Sequence, residues 1–219
     1  MTVGILLDLD GTLLDTLEDL TDAVNDALGQ FGLPGRTVLE VRDRVGNGAL
    51  RLMALALPGD TASPSPEELL SVFKPYYDAH CRLKTRPYDG IPEALAALKG
   101  KYPIAVVSNK PDSAVKSLCA DFFPGIYALG EAPDCPRKPA ADMVQKAMAA
   151  IGADQCIYVG DSEVDVATAK NAGVPGLIVL WGFRNREELE AVGAEHFCEK
   201  TEDLVAAVER LVMNAVGAE

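Results

Sequence analysis

Two aspartates stand one residue apart where an apolar run near the start of the chain ends. Asp8 and Asp10 directly follow Ile5-Leu6-Leu7 and precede Gly11. Such a pair can meet two chemical needs, because carboxylates are hard oxygen ligands for magnesium and because one can be a nucleophile while the other donates a proton. An Asp-Gly turn with solvated acids would also explain Asp10 and Gly11 on their own. The pair therefore indicates a catalytic site only if other polar clusters accompany it.

Two further clusters could hold a phosphate group. Ser108-Asn109-Lys110 follows the apolar run 104–107, and a hydroxyl with backbone amides before a helix suits an anion. Lys138 stands just before another predicted helix, where its compact charge could balance phosphate and an attacking carboxylate. A helix cap or a solvated surface lysine would explain each cluster taken alone. Ser108, Asn109 and Lys138 are the phosphate-binding candidates.

A fourth cluster, Gly160 to Asp165, follows the apolar run 157–159. Asp161 could complete a magnesium shell, while Asp165 on the ensuing helix could orient Asp161 or hold Lys138. An N-cap aspartate followed by first-turn acids would explain this cluster in isolation. Four clusters in this order, each after a predicted strand, are hard to explain as caps and favour one catalytic site.

The elements that must position these residues alternate between strand and helix. Nearly continuous apolar runs rich in β-branched residues predict strands that are buried on both faces, at 3–10, 104–107, 157–159 and 177–180. Helical patterns lie between them at 91–99, 111–122, 140–151 and 164–172. This alternation predicts an α/β fold, a doubly wound Rossmann-like parallel sheet whose ligands bind at the carboxyl ends of the strands.

Residues 15–84 interrupt the alternation of strands and helices, because their apolar spacing predicts helices only. Apolar residues recur at helical spacing from Leu17 to Phe31, and Thr37 with Glu40 has the spacing of a capping box. Ser65 with Glu68 has the same spacing. We therefore predict an all-helical cap at 15–84, inserted after the first strand into a core made of 1–14 and 85–219. We expect its hinges at Gly11 and the loop 87–90, and its own core to include Phe73, Tyr76 and Tyr77.

Composition limits the partners. The 219 residues include 33 acidic and 20 basic side chains, and the net charge of −13 disfavours nucleic acid. The N-terminus has no signal-peptide pattern and the apolar runs are too short to span a bilayer, so we expect a cytoplasmic protein without a membrane partner. Its five scattered cysteines are expected to be reduced thiols. The sequence leaves the oligomeric state open.

The four clusters resemble the motifs of the haloacid dehalogenase-like hydrolase superfamily, and the resemblance covers essentially the whole chain. The first motif corresponds to residues 8–12, and the others to Ser108, to Lys138 and to Gly160-Asp161 with Asp165. The resemblance implies that Asp8 is the nucleophile and a metal ligand. It implies that Asp10 is the general acid and base and binds the metal through its carbonyl. It further implies phosphoryl contacts from Ser108 and Lys138, a magnesium ligand in Asp161, a supporting role for Asp165 and a helical cap after the first motif.

Within that superfamily the chain resembles the phosphoglycolate phosphatases. The segment Arg44-Val45-Gly46-Asn47-Gly48-Ala49 is similar to the substrate loop of that subfamily, so Arg44, Gly46, Asn47 and Gly48 are the candidates for substrate specificity. The similarity continues at 87–90, 166–173 and 181–183. Ala141 stands where relatives often carry a second proline. Arg184 stands where other side chains are usual, and it could alter access to the site.

The predicted function is magnesium-dependent hydrolysis of a small phosphorylated metabolite, through an aspartyl phosphate. Exposed amides near the Arg44–Ala49 loop favour a small carboxylate, so 2-phosphoglycolate is the predicted substrate. A sugar phosphomutase or a pyrophosphatase of the same superfamily is an alternative. So is a receiver-type signalling domain that is phosphorylated on aspartate without turnover, although the insertion and Asp10 argue against it. The effect of Ca²⁺ is not decided by the sequence.

Overall fold

The structure, a computed structural model, describes residues 1–59 and 63–216. Over these residues the strands are β1 (Val3–Leu7), β2 (Leu14–Asp15), β3 (Arg86–Pro87), β4 (Ile104–Pro111), β5 (Tyr127–Glu131), β6 (Gln155–Gly160), β7 (Gly176–Val179) and β8 (Phe197–Cys198). The helices are α1 (Leu17–Gln30), α2 (Val38–Arg42), α3 (Ala49–Ala56), α4 (Pro66–His80), α5 (Ile91–Lys99), α6 (Asp112–Phe122), α7 (Asp142–Ile151), α8 (Glu163–Ala172), α9 (Arg186–Ala191) and α10 (Leu204–Val216). Residues 60–62 of the predicted cap and 217–219 of the predicted core lie outside the described residues.

Six of the strands form one parallel sheet in the order β5-β4-β1-β6-β7-β8. β1 lies inside it, with Leu7 opposite Val106 of β4 and opposite Val159 of β6. The chain leaves β1 for β4 on one side and later enters β6 on the other, so the strand order reverses at β1. Ligands of open α/β sheets bind beyond the carboxyl ends of strands at such a point.

Helices cover both faces of the sheet. Successive side chains of a strand point to opposite faces, so Ile5 and Leu7 of β1 enter one apolar cluster and Leu6 enters another. The Leu6 cluster is completed by α7 and α8, through residues such as Val144 and Ala169. The other cluster contains residues of α5, α6 and α10 and continues without a break into α1, α3 and α4. The predicted α/β fold with a doubly wound parallel sheet is confirmed.

Helices α1 to α4 lie between β2 and β3, which pair with each other in antiparallel fashion. Leu14 is opposite Pro87 and Asp15 is opposite Arg86, so the two ends of the helical stretch are joined at their base. Both predicted capping boxes are present, at Thr37 before α2 and at Ser65 before α4. The division into a cap at 15–84 and a core at 1–14 and 85–219 stays a prediction.

β4 is longer than the apolar pattern predicts. The predicted strand ends at Val107, whereas the observed one runs on through Ser108, Asn109 and Lys110 to Pro111. A register irregularity between Val107 and Pro111 lets the strand pair again with Glu131 of β5. The three polar residues therefore lie on a buried strand end and not in a loop before α6.

All five cysteines are buried and free, with Cys81 following α4, Cys119 on α6, Cys135 after β5, Cys156 on β6 and Cys198 on β8. The described residues contain no helix with both the length and the apolar character that crossing a membrane requires.

Candidate active site

Three strand ends bring the predicted residues together. Asp8 directly follows β1, Ser108 lies near the end of β4 and Asp161 directly follows β6. The backbone amide of Asp8 still bonds to the carbonyl of Val159, at 2.9 Å, so the ladder of the sheet fixes where its side chain begins. All three side chains belong to residues that are less than a tenth exposed, and all line one cavity.

Lys138 supplies the positive charge of this cluster. Its Nζ atom lies 2.8 Å from Asp8 Oδ1, 2.8 Å from Asp165 Oδ1 and 2.9 Å from the hydroxyl of Tyr158. Burial alone would lower the pKa of Lys138, but Asp165 and Asp8 outweigh it and raise that pKa. The ammonium group is therefore retained where a phosphoryl group approaching Asp8 would meet it.

Asp165 is a fully buried carboxylate whose two oxygens are both occupied. Oδ1 accepts hydrogen bonds from Lys138 Nζ and from the Tyr158 hydroxyl. Oδ2 accepts them from the backbone amides of Asp161 and Ser162 and from the Ser162 hydroxyl. Burial alone would raise the pKa of Asp165, yet Lys138 and Ser162 hold it below its usual range. Asp165 thus contacts both Lys138 and Asp161, which fits the supporting role implied for it.

Asp161 is held against the first motif. Its Oδ1 accepts a hydrogen bond from Thr12 Oγ1 at 3.2 Å, and its Oδ2 accepts one from the backbone amide of Phe183 at 2.8 Å. A Cβ atom at Gly11 would lie 2.3 Å from Asp161 Oδ2, and Gly11 has a φ of +81°. Glycine is therefore required at position 11 both by its backbone conformation and by the closeness of this carboxylate.

The acidic residues fit a divalent cation. Carboxylate oxygens of Asp8, Asp161 and Asp165 lie within 4.8 Å of one another. Those of Asp165 are saturated with donors, whereas Asp8 Oδ1 accepts no aligned hydrogen bond although Lys138 Nζ is close to it. Asp8 and Asp161 are therefore the side chains with lone pairs left for a metal, and oxygen ligands of this kind suit a hard cation.

The excess of negative charge at these aspartates also favours a bound cation. Burial, helped by Asp165 and Asp10 and opposed by Lys138, raises the pKa of Asp8 to about 7. Burial, with Asp165 and Asp8, also raises the pKa of Asp161 well above its usual range. Three buried carboxylates share one ammonium group here, so a bound cation would stabilise the ionised forms.

Asp10 has surroundings of its own. Lys110 Nζ lies 2.9 Å from each of its carboxylate oxygens, and Thr16 Oγ1 donates to Oδ1 at 2.6 Å. Sequence reasoning gave Lys110 no role. A usable signal was present, because alternate residues of an extended strand share a face, and Lys110 stands two positions after Ser108.

Asn109 is placed differently from the phosphate contact expected for it. Its Nδ2 group donates to the carbonyl oxygens of Gly46 at 3.1 Å and of Lys138 at 2.9 Å, which uses both N–H groups. Only its backbone amide is left to contact a phosphate. The side chain instead joins the loop before α3 to the segment that carries Lys138.

The predicted specificity residues divide into two groups. Gly46 and Gly48 line the cavity, and both have a positive φ. Arg44 and Asn47 are not among its lining residues. The Arg44 guanidinium bonds to the carbonyl oxygens of Leu55, at 3.0 Å, and Glu40, so it braces the helical segment locally and is not brought to the site.

Arg184 joins the helical segment to the rest of the molecule. Its Nη1 and Nη2 atoms donate to the carbonyl oxygens of Arg42 at 3.0 Å and Val45 at 2.9 Å. Its Nε atom donates to a carboxylate oxygen of Glu163 at 2.8 Å. Arg184 also lines the cavity. The sequence marked this residue as a departure from its relatives, but local spacing could not predict contacts with residues about 140 positions away.

The cavity has a polar floor and an apolar wall. Asp8, Asp10, Ser108, Lys110 and Lys138 belong to the strand-end side. The side chains that the helical segment contributes are, apart from one tyrosine hydroxyl, apolar: Leu20, Val45, Ala49, Leu52, Phe73 and Tyr77. The free space is about 50 Å³, room for roughly four water molecules.

Comparison with known proteins gives a consistent family. The sequence model of the haloacid dehalogenase-like hydrolase family matches residues 3–173. The chain is 31% identical over 216 residues to N-acetylmuramic acid 6-phosphate phosphatase of Pseudomonas aeruginosa, covering 94% of this chain and 95% of that protein. It is 35% identical over 191 residues to phosphoglycolate phosphatase of Cereibacter sphaeroides, covering 83% and 87%.

Solved structures agree with the sequence relatives. A crystal structure of a candidate phosphoglycolate phosphatase from Lactobacillus delbrueckii superposes with a TM-score of 0.89 at 36% identity, covering 95% of this chain and 99% of that one. The matched family extends over all four clusters that meet at the strand ends. The chain therefore belongs to the haloacid dehalogenase-like hydrolases.

Proposed function

We propose that this protein is a Mg²⁺-dependent phosphatase that hydrolyses a small phosphate monoester through a phosphorylated Asp8, with 2-phosphoglycolate as its substrate. The observation that carries the proposal is the position of Asp8 at the end of β1, beside Asp161 and 2.8 Å from the ammonium group of Lys138. An anionic nucleophile that attacks an anionic phosphate needs positive charge at this place.

In the proposed reaction a carboxylate oxygen of Asp8 attacks phosphorus in line, and the bond from phosphorus to the leaving alkoxide breaks. Lys138 and Ser108 hold the phosphoryl oxygens while Asp10 gives a proton to the leaving oxygen. In the second step Asp10 removes a proton from water, which attacks the same phosphorus, and Asp8 leaves. Inorganic phosphate and free carboxylate are the products.

The residues that would hold Mg²⁺ are Asp8 and Asp161, together with the backbone carbonyl of Asp10. When bound, the cation would supply charge neutralisation at the phosphoryl oxygens. Asp165 would act through others, by keeping Lys138 and the Asp161 backbone in place with five hydrogen bonds from four residues of the protein.

Residues 15–84 serve in this proposal as a cap that closes over the strand ends, while 1–14 and 85–219 form the core. Support comes from the β2–β3 pairing, which joins the two ends of the helical stretch. A closing cap excludes water and contacts the leaving group, so selectivity between substrates would depend on it.

A small leaving group fits the cavity best. The free space of about 50 Å³ is small, and the apolar wall offers few partners for the hydroxyl groups of a sugar. N-acetylmuramic acid 6-phosphate is a second candidate substrate, because a relative of matching length is named for it. It is much larger, so the cap would have to open further to admit it.

A kinetic panel tests the proposal. With Mg²⁺ present, kcat/KM is expected to be higher for 2-phosphoglycolate than for N-acetylmuramic acid 6-phosphate, glucose 6-phosphate or pyrophosphate. If a rival is hydrolysed more efficiently, the substrate assignment fails and the phosphatase chemistry survives. If neither these compounds nor an aryl phosphate is turned over, the phosphatase proposal itself fails, and a phosphorylated but non-catalytic domain becomes the better description.

A further inference from the structure

We propose that the hydroxyl group of Tyr77 and the ammonium group of Lys110 form a binding site for a carboxylate on the leaving group of the substrate. The proposal rests on the phosphatase function above and adds the two side chains that would recognise the acid. Tyr77 belongs to α4 of the helical segment, whereas Lys110 lies near the end of β4. Both line the cavity that also contains Asp8 and Asp10.

The Tyr77 hydroxyl is buried and makes no aligned hydrogen bond. The residue is 2% exposed, and among the described residues no hydrogen-bonding group is aligned with its oxygen, although Lys110 is close enough to interact with it. A buried hydroxyl without a partner is unfavourable unless a ligand or water supplies one. Burial also raises the pKa of Tyr77, so the group stays a neutral O–H donor, which is what a carboxylate oxygen needs.

Lys110 provides the charge next to it. Its Nζ atom lies 4.7 Å from the centre of the Tyr77 ring and 2.9 Å from each carboxylate oxygen of Asp10. An ammonium group has three N–H donors, so two contacts with Asp10 leave one that can turn to a ligand beside Tyr77. Lysine is a cation at neutral pH, and the contact with the Asp10 carboxylate favours that charged form.

The other cations of the cavity each have three partners, whereas the aligned hydrogen bonds of the Lys110 ammonium group among the described residues go to Asp10 alone. Lys138 contacts Asp8, Asp165 and Tyr158, and Arg184 contacts Glu163 and two backbone carbonyls. The remaining side chains of the helical wall are apolar. A ligand with one anionic group beyond its phosphate would therefore find one suitable place, whereas a ligand with several hydroxyls would leave most of them without partners.

The site would also join substrate recognition to catalysis. Lys110 contacts the proposed acid Asp10 directly, at 2.9 Å, and α4 belongs to the proposed cap. A carboxylate held between Lys110 and Tyr77 would connect the cap to the core through the substrate itself. Its leaving oxygen would then lie on the side of the cavity where Asp10 donates.

The test compares 2-phosphoglycolate with ethyl phosphate, which has the same two-carbon chain but no carboxylate. Both leaving groups are alkoxides that need a proton, so any disturbance of Asp10 affects both substrates and cancels in the ratio of their kcat/KM values. Tyr77→Phe is expected to lower this ratio by about tenfold and Lys110→Met by about tenfold to a hundredfold, the range for a hydrogen bond to a charged group.

Two matched controls lie nearby. Tyr76→Phe changes the neighbouring tyrosine of α4, which stacks on His80 and does not line the cavity. Lys116→Met changes an exposed lysine of α6 that is paired with Asp112. Both should keep the parental ratio. The ligand-free melting temperature of Tyr77→Phe should change little, because its hydroxyl makes no aligned hydrogen bond with the protein.

A binding measurement separates this inference from the proposed function. In an Asp8→Asn background, which cannot form the aspartyl phosphate, adding Tyr77→Phe should weaken binding of 2-phosphoglycolate by about tenfold, measured by calorimetry with Mg²⁺. Unchanged ratios and unchanged affinity in both cavity variants would overturn the inference while leaving the phosphatase intact. Equal losses in the Tyr76→Phe control, or tighter binding of a two-carbon bisphosphate than of 2-phosphoglycolate, would also overturn the carboxylate assignment. Turnover of no phosphate ester by the parent would reject the function, and the binding result would still decide this site.

Discussion

At the scale of single residues, the two aspartates of the first motif are bound to different cations. Asp8 lies 2.8 Å from Lys138, whereas Asp10 lies 2.9 Å from Lys110. Asp10 also accepts a hydrogen bond from Thr16, which Asp8 does not. Two carboxylates only two positions apart can therefore be given separate tasks, one as nucleophile and one as proton donor, by the partners that the fold brings to each.

We predict that Asp8→Asn lowers turnover by at least about a thousandfold without loss of the fold, because the amide oxygen is a poor nucleophile and a weaker metal ligand. Steady-state assays with Mg²⁺ measure the loss, and circular dichroism checks the fold. Asp134→Asn, which changes an exposed aspartate paired with Lys146, is the matched control and should keep the parental rate. Turnover by Asp8→Asn within about tenfold of the parent would contradict the covalent mechanism.

A second prediction concerns Asp10. If Asp10 protonates the leaving oxygen, Asp10→Asn should slow alkyl phosphates by about 10²–10⁴-fold, the usual contribution of general acid catalysis. Aryl phosphates should be slowed much less, because phenolates leave without a proton. Parallel assays on ethyl phosphate and 4-nitrophenyl phosphate give the two values, and equal losses would remove Asp10 from the acid role.

Sequence reasoning located residues of this site unevenly. Asp8, Ser108 and Asp161 could be predicted because each directly follows an apolar run, and the carboxyl ends of parallel strands meet at one edge. Lys138 could be predicted from its place just before a helical pattern. The spacing of Lys110 from Ser108 could have placed Lys110 at the site, but its pairing with Asp10, 100 residues away, could not be read from local spacing. Tyr77 was expected in the apolar core of the helical segment, and it does lie in the buried apolar cluster, stacked on Phe73. It also lines the cavity, which helical periodicity could not predict.

At the scale of elements, β4 shows where an apolar pattern stops being informative. The alternation of strands and helices predicted the sheet, but the apolar pattern ended β4 too early, at Val107, because the next three residues are polar. They are buried all the same, since Ser108, Asn109 and Lys110 are 2%, 4% and 6% exposed. At a strand end that carries functional groups, residues can be buried although they are polar, so hydrophobicity does not predict their burial.

Arg184 is the clearest link between the helical segment and the sheet. It bonds to two carbonyls at 42–45 and to Glu163, at the start of α8. Its side chain is 11% exposed, so these bonds are largely shielded from water. The geometry favours the arrangement in which the loop before α3 lies against the strand ends.

We predict that Arg184→Met raises KM for the substrate by about tenfold, because a hydrogen bond from a charged group contributes about 1.5–3 kcal/mol and the closed arrangement would be less populated. Hydrogen exchange of the 42–48 backbone should increase in parallel. Arg186→Met removes an arginine that is 40% exposed and paired with Glu190 and Glu199, and it should change neither quantity. Parental KM and exchange in Arg184→Met would show that the link does not hold the loop.

At the scale of the whole molecule, negative charge is in excess both in the chain as a whole and at the site. The chain has a net charge of −13, and Asp8, Asp161 and Asp165 lie together with a single lysine among them. Such a fold is stabilised by whatever brings positive charge to the strand ends. Binding of a ligand to the folded state alone raises stability in proportion to the logarithm of its concentration over Kd.

We predict that Mg²⁺ raises the melting temperature of the metal-free protein, and more at about pH 8 than at about pH 6. The pKa of Asp8 is about 7 in the fold and about 3.9 in an unfolded chain, so the folded state binds the proton more tightly. Its contribution to metal-free stability is present below about pH 4 and is lost as the pH rises through about 7. Mg²⁺ needs the ionised carboxylate, so its effect should grow over the same interval.

Differential scanning fluorimetry with and without Mg²⁺ measures this gain. Asp8→Asn removes the titrating group, and its gain from Mg²⁺ should be smaller and should depend less on pH. A gain in the parent that is equal at both pH values, or that is larger at the lower one, would contradict the assignment of Asp8 as a metal ligand.

The reaction rates of the five buried thiols would report which parts of the protein open. A thiol reagent reaches such groups slowly in the folded protein, since each cysteine is at most 7% exposed. The labelling rate of each cysteine therefore depends on how often the structure around it opens. Mass spectrometry of the labelled peptides would measure that rate for each cysteine separately. Cys81 follows α4, while Cys156 lies in β6 at the centre of the sheet. If the helical segment swings without the sheet unfolding, Cys81 should react first, and added phosphate ester with Mg²⁺ should slow that reaction more than the reaction of Cys156.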